Sequence, residues 1–81
     1  MRVEIQFFSR LKEIAGAAQI ARELPDGARV SDLLAALYRE FPGLEKWDTH
    51  LLVAVGVDYV AREHPLRDGD AVSIMPPVSG G

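Results

Sequence analysis

Arg2-Val3-Glu4-Ile5-Gln6-Phe7-Phe8 alternates polar and apolar residues up to its last position, and the fold follows from how that alternation is read. A period of two makes it a half-buried strand, with Val3, Ile5 and Phe7 on one face and Arg2, Glu4 and Gln6 on the other. One face therefore needs an apolar cover. Phe8 breaks the parity, because it falls on the polar face where a large aromatic gains little from the core. The last strand, residues 71–75, has the same character: Val72 and Ile74 point inward and Met75 falls off that parity. These two strands are among the most apolar in the chain. They are expected side by side at the centre of a sheet, with the first lying between its hairpin partner and the last.

The cover comes from the main helix. Ser31 is its expected cap, and Asp32 in the first turn complements the positive end of the helix dipole. Leu33, Leu34, Leu37 and Phe41 recur at helical spacing and form one apolar stripe. Pro42-Gly43 ends the helix, since the residue before a proline is driven out of helical dihedrals. Between first strand and helix, Ser9 is expected to cap a short helix through Ala15, with Leu11 and Ile14 facing in and Gly16 in the left-handed terminating conformation. Residues 18–24 read as a second strand closed by a turn at Pro25-Asp26-Gly27. Arg22 shares the parity of Ile20 and Leu24 there, which points to a sheet edge where its head group reaches water.

After the helix, residues 44–50 show no clear period and read as a loop or a turn of helix. Pattern assigns Trp47 no position, although its large apolar area favours burial. Residues 51–55 form a continuous apolar run, read as a buried strand. Gly56-Val57-Asp58 turns the chain into Tyr59-Val60, and Asp68-Gly69-Asp70 makes the turn before the last strand. The order strand, strand, main helix, strand, short strand, strand suits an α+β domain with one helix packed across a mixed sheet of four to five strands.

Composition narrows the function. The 81 residues, 48% of them hydrophobic, suffice for one domain with one core. Nine Lys and Arg against twelve Asp and Glu give a formal charge of −3, with no basic run to follow a phosphate backbone, so nucleic acid is not the expected partner. No stretch approaches a membrane span and the start alternates where a signal peptide would be continuously apolar, so a soluble cytoplasmic protein is expected. There is no cysteine, which excludes disulfides, thiolate metal sites and a cysteine nucleophile.

The sequence ends Pro76-Pro77-Val78-Ser79-Gly80-Gly81. Pro76 and Pro77 fix φ and donate no backbone hydrogen bond, so they stop the last strand and hold the chain extended. Gly80 and Gly81, with no Cβ, can pass through a channel too narrow for other residues. The domain is therefore expected over residues 1–76, with 77–81 as a flexible extended tail. At about 3.3 Å per residue, the five residues past Pro76 reach roughly 16 Å, enough to deliver a carboxylate into another protein's active site. A frayed end also contains Gly and Ser, so the tail alone leaves both readings open.

These residues resemble the sulfur-carrier proteins of the ubiquitin-like, β-grasp fold, and within them most closely the small subunit of molybdopterin synthase. The resemblance covers nearly the whole chain and rests on Phe7-Phe8-Ser9-Arg10-Leu11-Lys12-Glu13, Leu24-Pro25-Asp26-Gly27, Leu66-Arg67-Asp68-Gly69-Asp70 and the Pro-Pro-Val-Ser-Gly-Gly ending. Gly56 departs from the asparagine common there; both tolerate positive φ. The resemblance implies that the Gly81 carboxylate is adenylated with ATP by an activating enzyme related to that of ubiquitin, then converted to a thiocarboxylate by a sulfur donor enzyme. It implies that Pro77, Val78, Ser79 and Gly80 insert into the large synthase subunit, in a heterotetramer of two small and two large subunits, where sulfur passes to a pterin precursor. It further implies a non-catalytic subunit without a bound cofactor. Carriers for thiamin or tRNA thiolation, and ubiquitin-like modifiers, share the activation chemistry and remain alternatives.

The docking surface follows from parity alone. If the first and last strands are neighbours, Phe8 and Met75 meet on the exposed face near the root of the tail, edged by Lys12 and joined by Tyr59, an apolar patch suited to a transient partner. Isolated exposed side chains, or burial of Phe8 against the short helix, are the competing readings. His50 and His64 lack a ligand partner at metal spacing beyond a possible Asp48-x-His50 pair, so no metal site is expected. Asp68-Gly69-Asp70 lacks the later ligands of a calcium loop. No glycine-rich phosphate loop is present, which places ATP on a partner.

Overall fold

Val3, Ile5 and Phe7 are buried along β1 (Arg2–Phe7), while Arg2 and Gln6 are exposed on its other side. The computed structural model describes residues 1–77. β2 (Gln19–Glu23) runs antiparallel to β1, with Ile20 opposite Ile5 and Arg22 opposite Val3. β3 (Leu52–Val55), β4 (Asp58–Tyr59) and β5 (Ala71–Met75) complete a five-stranded sheet in the order β2-β1-β5-β3-β4. β1 and β5 are the parallel central pair, Ile5 beside Val72 and Phe7 beside Ile74, and β2 is an edge, both as expected.

α2 (Val30–Glu40) supplies the cover. Leu33, Leu34 and Leu37 are buried and share one core cluster with Val3, Ile5, Phe7, Val53, Val72 and Ile74. Phe41, just past the helix, meets Phe7 edge to face, with centroids 6.1 Å apart and rings at 78°. The helix begins earlier than the cap reading of Ser31 allows. Arg29 is the N-cap, Val30 the first helical residue, and Ser31 lies within the first turn. The reason is tertiary: Val30 and Ser31 donate their N–H groups to the His64 and Arg62 carbonyls at 3.0 and 2.9 Å, and the Asp32 carboxylate accepts the Arg29 N–H at 2.8 Å. The free donors of the helix start are thus satisfied by a distant loop and by Asp32 in place of a serine hydroxyl.

Ser9 is the N-cap of α1 (Arg10–Ala15), and Gly16 ends it in the left-handed conformation, its N–H bonded to the Lys12 carbonyl at 2.8 Å. The Ser9 side chain makes no capping bond. Its backbone has φ 56° and ψ −132°, the one positive φ outside glycine among the described residues. That combination is open to glycine and costly for a residue with a Cβ. Strain of about 1–3 kcal/mol outweighs the 0.5–1 kcal/mol entropic cost of glycine. Ser9→Gly is therefore expected to stabilise the fold by about 1 kcal/mol, read as a rise in the thermal midpoint; a fall would mean the Ser9 side chain contributes more than its backbone costs.

The unassigned segment after α2 is a 3₁₀ helix, Pro42–His50, with Leu44 buried and Trp47 partly buried against the core. Gly43 makes the close approach possible. A Cβ at that position would sit 3.0 Å from Ile14 Cγ2, so only glycine lets the segment rest on α1 without displacing Ile14. The run at residues 51–55 is not buried throughout, as its composition suggested. Leu51, Val53 and Ala54 are buried but Leu52 is 36% exposed, because its side chain lies on the face of β3 turned away from the core under α2. The β3–β4 turn has positive φ at Gly56 and not at Val57, the pattern of a II′ hairpin.

Two polar staples anchor the helices, one to the sheet and one to the loop before β5. Arg22 on edge strand β2 pairs with Glu40 at the end of α2. Asp48 accepts hydrogen bonds from the Tyr38 hydroxyl and from Arg62 Nη1, the latter at 3.0 Å, which ties the 3₁₀ segment to α2 and to the loop that caps it. Hydrogen bonding from Tyr38 and then Arg62 holds the Asp48 carboxyl below the usual carboxylate range, and Arg22 does the same for Glu40. Burial, then Asp48, pushes the Tyr38 hydroxyl up. A carboxyl with a lowered native pKa contributes stability above its unfolded value of about 4 and loses it as pH falls through the native value. Both acids are partly exposed, so each contribution is under about 1 kcal/mol. Asp48→Asn is expected to flatten the fall of the thermal midpoint below about pH 4; an acid limb unchanged by the substitution would contradict the pairing.

Candidate docking surface and the root of the tail

The registers assemble one surface from β5, β3 and β4 and the residue that follows β1. The Phe8 N–H donates to the Ile74 carbonyl at 3.2 Å, continuing the parallel pairing that puts Phe7 beside Ile74, so Phe8 comes alongside Met75. Met75 in turn pairs with Leu52 across β5 and β3. One row inward, Ser73 pairs with Ala54 and Ala54 with Tyr59. Strand alternation puts all of these on the face away from α2. Phe8 is 43% and Tyr59 70% exposed, and Met75 is half-buried. The parity argument thus brings Phe8, Met75 and Tyr59 to one face, with Phe8 and Met75 adjacent and Met75 next in sequence to Pro76.

Leu52 belongs to this patch and was missed, because an unbroken apolar run hides which of its members face water. Lys12 is exposed on α1, its N–H bonded to the Ser9 carbonyl at 3.2 Å, so its backbone lies one short turn from Phe8. Pro77 is exposed and Pro76 partly so, both outside β5. Val78, Ser79, Gly80 and Gly81, the tail residues singled out by the sequence, lie outside the described residues.

Pro76 and Pro77 also line a groove of about 340 Å³ with Ser9, Arg10 and Trp47. Trp47 is therefore placed at the root of the tail, which sequence pattern could not do. Its Nε1–H is buried and has no acceptor among the described residues. A second cavity, about 260 Å³, lies at the opposite end of β5, lined by Val55, Asp58, Val60, His64, Arg67 and Asp70 among others. The acids of the final turn are committed to backbone: Asp68 accepts the Arg2 N–H at 2.7 Å and Asp70 the Arg67 N–H at 2.8 Å. Asp48, half of the considered Asp48–His50 pair, is taken by Tyr38 and Arg62. Among the described residues no three His, Cys, Asp or Glu side chains converge as a metal site. Nor is any helix long and apolar enough to cross a membrane.

The ThiS family model matches residues 5–81, nearly the whole chain. This protein belongs to the ThiS family. Membership accounts for the sheet order and for the parallel central pair, since the family's fold is the ubiquitin-like β-grasp seen here. Among curated members, the chain is 36% identical to the molybdopterin synthase sulfur carrier subunit of Chlamydomonas reinhardtii, with all of both chains covered. It is 35% identical to small archaeal modifier protein 3 of Haloferax volcanii, again over all of both. Among solved structures, SAMP1 from Haloferax volcanii superposes with a TM-score of 0.88 at 30% identity, all of both chains covered. A chain in the complex of subunits 1 and 2 of the Helicobacter pylori molybdopterin-converting factor superposes with a TM-score of 0.72 at 30% identity, also over all of both.

Proposed function

We propose that this ThiS-family chain is a sulfur carrier, acting in the cytoplasm as the small subunit of molybdopterin synthase. The observation that carries the reading is the end-to-end similarity to a molybdopterin synthase sulfur carrier subunit, at 36% identity with neither chain left over. The chemistry needs no catalytic side chain from this protein. A Gly81 carboxylate oxygen attacks the α-phosphorus of ATP on a separate activating enzyme, pyrophosphate leaves, and the resulting acyl adenylate is a good electrophile. A sulfur donor attacks the acyl carbon and AMP departs, leaving a thiocarboxylate at Gly81. Carrying sulfur at the terminus is consistent with a chain that has no cysteine to hold it. In the large subunit the thiocarboxylate sulfur displaces an oxygen substituent on a pterin precursor, and water then cleaves the resulting thioester at its acyl carbon, leaving the thiol on the pterin and returning Gly81 as a carboxylate for another round.

The fold supports this assignment by what it positions. β5 is central, hydrogen-bonded on both edges, and leads straight into Pro76-Pro77, so the tail leaves the most constrained part of the sheet. Phe8, Leu52, Met75 and Tyr59 beside that exit form the docking surface for the large subunit, with Lys12 at its margin. The Helicobacter pylori relative is seen in a complex of subunits 1 and 2, which favours a partner of this kind; the heterotetramer of two small and two large subunits rests on the family resemblance alone.

Incubation with ATP, the activating enzyme and a sulfur donor, followed by intact mass measurement, tests the carrier reading. A sulfur-for-oxygen gain in mass localised to Gly81 is expected. An unchanged mass, with an enzyme shown to be competent on another carrier, overturns it. The similarity to an archaeal modifier protein favours a second use of the same acyl adenylate, attack by a lysine amine to give an amide. That use would appear as stable conjugates of higher mass in cell extract, independent of added sulfur donor. Recovery of the large synthase subunit by pull-down separates the molybdopterin pathway from thiamin or tRNA thiolation.

A further inference from the structure

Strand pairing leaves one row of backbone groups on β2 facing outward. The Leu24 N–H donates to the Met1 carbonyl at 2.8 Å and the Phe7 N–H to the Ala18 carbonyl at 2.9 Å, so the even-numbered residues of this strand turn their backbones toward β1. Gln19, Ala21 and Glu23 therefore turn theirs away, toward the open edge of the sheet. The other edge, β4, is two residues long and offers little to pair with. Among the described residues, one of the outward groups on β2 has a partner: Arg22 Nη1 donates to the Ala21 carbonyl at 2.7 Å. Arg22 is itself pinned, with Nε and Nη2 both bonded to the Glu40 carboxylate at the end of α2. The guanidinium thus lies across the middle of an edge that has an unbroken register and no proline, the devices that commonly stop a strand from being extended.

We propose that the β2 edge is a self-association surface, pairing antiparallel with β2 of a second copy about a two-fold axis at Ala21, and that the Arg22–Glu40 pair is a latch that opens for the pairing to complete. The edge singles out a second copy because it complements itself. With Ala21 opposite itself, Gln19 meets the second copy's Glu23 at either end, and every outward N–H and C=O finds a partner. A slip by two residues leaves groups at the ends unpaired, and a slip that sets Glu23 against itself is opposed by like charge. Ala21, the smallest side chain of the strand, sits on the axis. Each copy's Arg22 has to release an Ala21 carbonyl, so the latch acts twice in one dimer. β5 lies two strands from this edge, so the pairing leaves uncovered the strand that leads to Pro76. The inference goes beyond the sulfur-carrier reading and uses none of it.

Sedimentation equilibrium and amide hydrogen exchange of the full chain, followed over a range of concentrations, test the pairing. A five-residue edge is a small interface, so the dissociation constant is expected at roughly 1 mM; Arg22→Ala should tighten it about tenfold by removing both latches, and Glu40→Gln should move it part of the way. The amides of residues 19, 21 and 23 should gain protection as concentration rises. Those of residues 20, 22 and 24 face β1 at every concentration, so they stay fixed and serve as the folding control. The register is tested by adding Ala21→Lys or Ala21→Glu to the Arg22→Ala chain. Either one alone sets like charges opposite each other across the axis and should return the chain to monomer. An equimolar mixture of the two should associate at least as tightly as the Arg22→Ala parent, because opposite charges then meet. A dissociation constant unmoved by both latch variants, exchange at residues 19, 21 and 23 that ignores concentration, or a mixture that stays monomeric each overturns the proposal. None of these readings involves sulfur transfer, so a failure here leaves the thiocarboxylate assay to be judged on its own.

Discussion

A chain extended by even one residue beyond Gly81, and shown to stay uncleaved, is expected to yield no thiocarboxylate at Gly81 and to support no cofactor synthesis. The loss should be complete, because the extension turns the reacting carboxylate into a peptide amide. An amide has no free oxygen to attack ATP and offers an amine as leaving group in place of AMP, so no later step can proceed. Stability should not change, since all five strands end by Met75. Intact mass after incubation with ATP, activating enzyme and sulfur donor reads the chemistry, and thermal unfolding reads the fold. Normal cofactor synthesis by the unprocessed extended chain would end the sulfur-carrier assignment.

The second large effect separates two adjacent phenylalanines. Phe7 is 2% exposed and packs edge-on against Phe41. Phe7→Ala is expected to cost about 3–5 kcal/mol in burial and cavity terms, against a total stability of about 5–15 kcal/mol. At roughly 4–8 °C per kcal/mol, the thermal midpoint should fall by about 15 °C or more. Phe8 sits one position along and faces the other way, 43% exposed. Phe8→Lys should leave stability within about 0.5 kcal/mol. Its cost appears in binding: a central aromatic of a docking patch is worth about 2 kcal/mol or more, a loss of roughly thirtyfold in affinity for the large synthase subunit. Calorimetric titration against that subunit, beside thermal unfolding of both variants, decides the matter. If Phe8→Lys destabilises as much as it weakens binding, Phe8 is a core residue and the docking surface lies elsewhere.

Both predictions use features legible in the linear chain. Alternation in residues 2–8 separates Phe7 from Phe8, and the same rule separates Ile74 from Met75. The helical stripe of Leu33, Leu34 and Leu37 and its stop at Pro42 are equally local, as are the glycine turns at Gly16, Gly27 and Gly69, each at positive φ. Where local rules compete with distant partners they fail in an instructive way. Ser31 looks like a cap, yet the helix starts before it because the Arg62 and His64 carbonyls accept the first free N–H groups. Leu52 looks buried because its neighbours are apolar; its exposure depends on which face α2 covers. Ser9 takes a capping position with a backbone conformation that serine disfavours, imposed by the passage from β1 into α1.

The chain by itself determined the elements, their inward faces and the composition of the tail, because periodicity and turn chemistry act between residues a few positions apart. Only the tertiary structure decided that Leu52 joins the surface on which parity had already grouped Phe8, Met75 and Tyr59, that Trp47 and Arg10 stand beside Pro76 and Pro77, and where α2 begins. Those outcomes follow from the parallel pairing of β1 with β5 and the seating of the 3₁₀ segment on α1. Each joins residues far apart in sequence, and packing alone, with no local pattern to announce it, sets which of them meet.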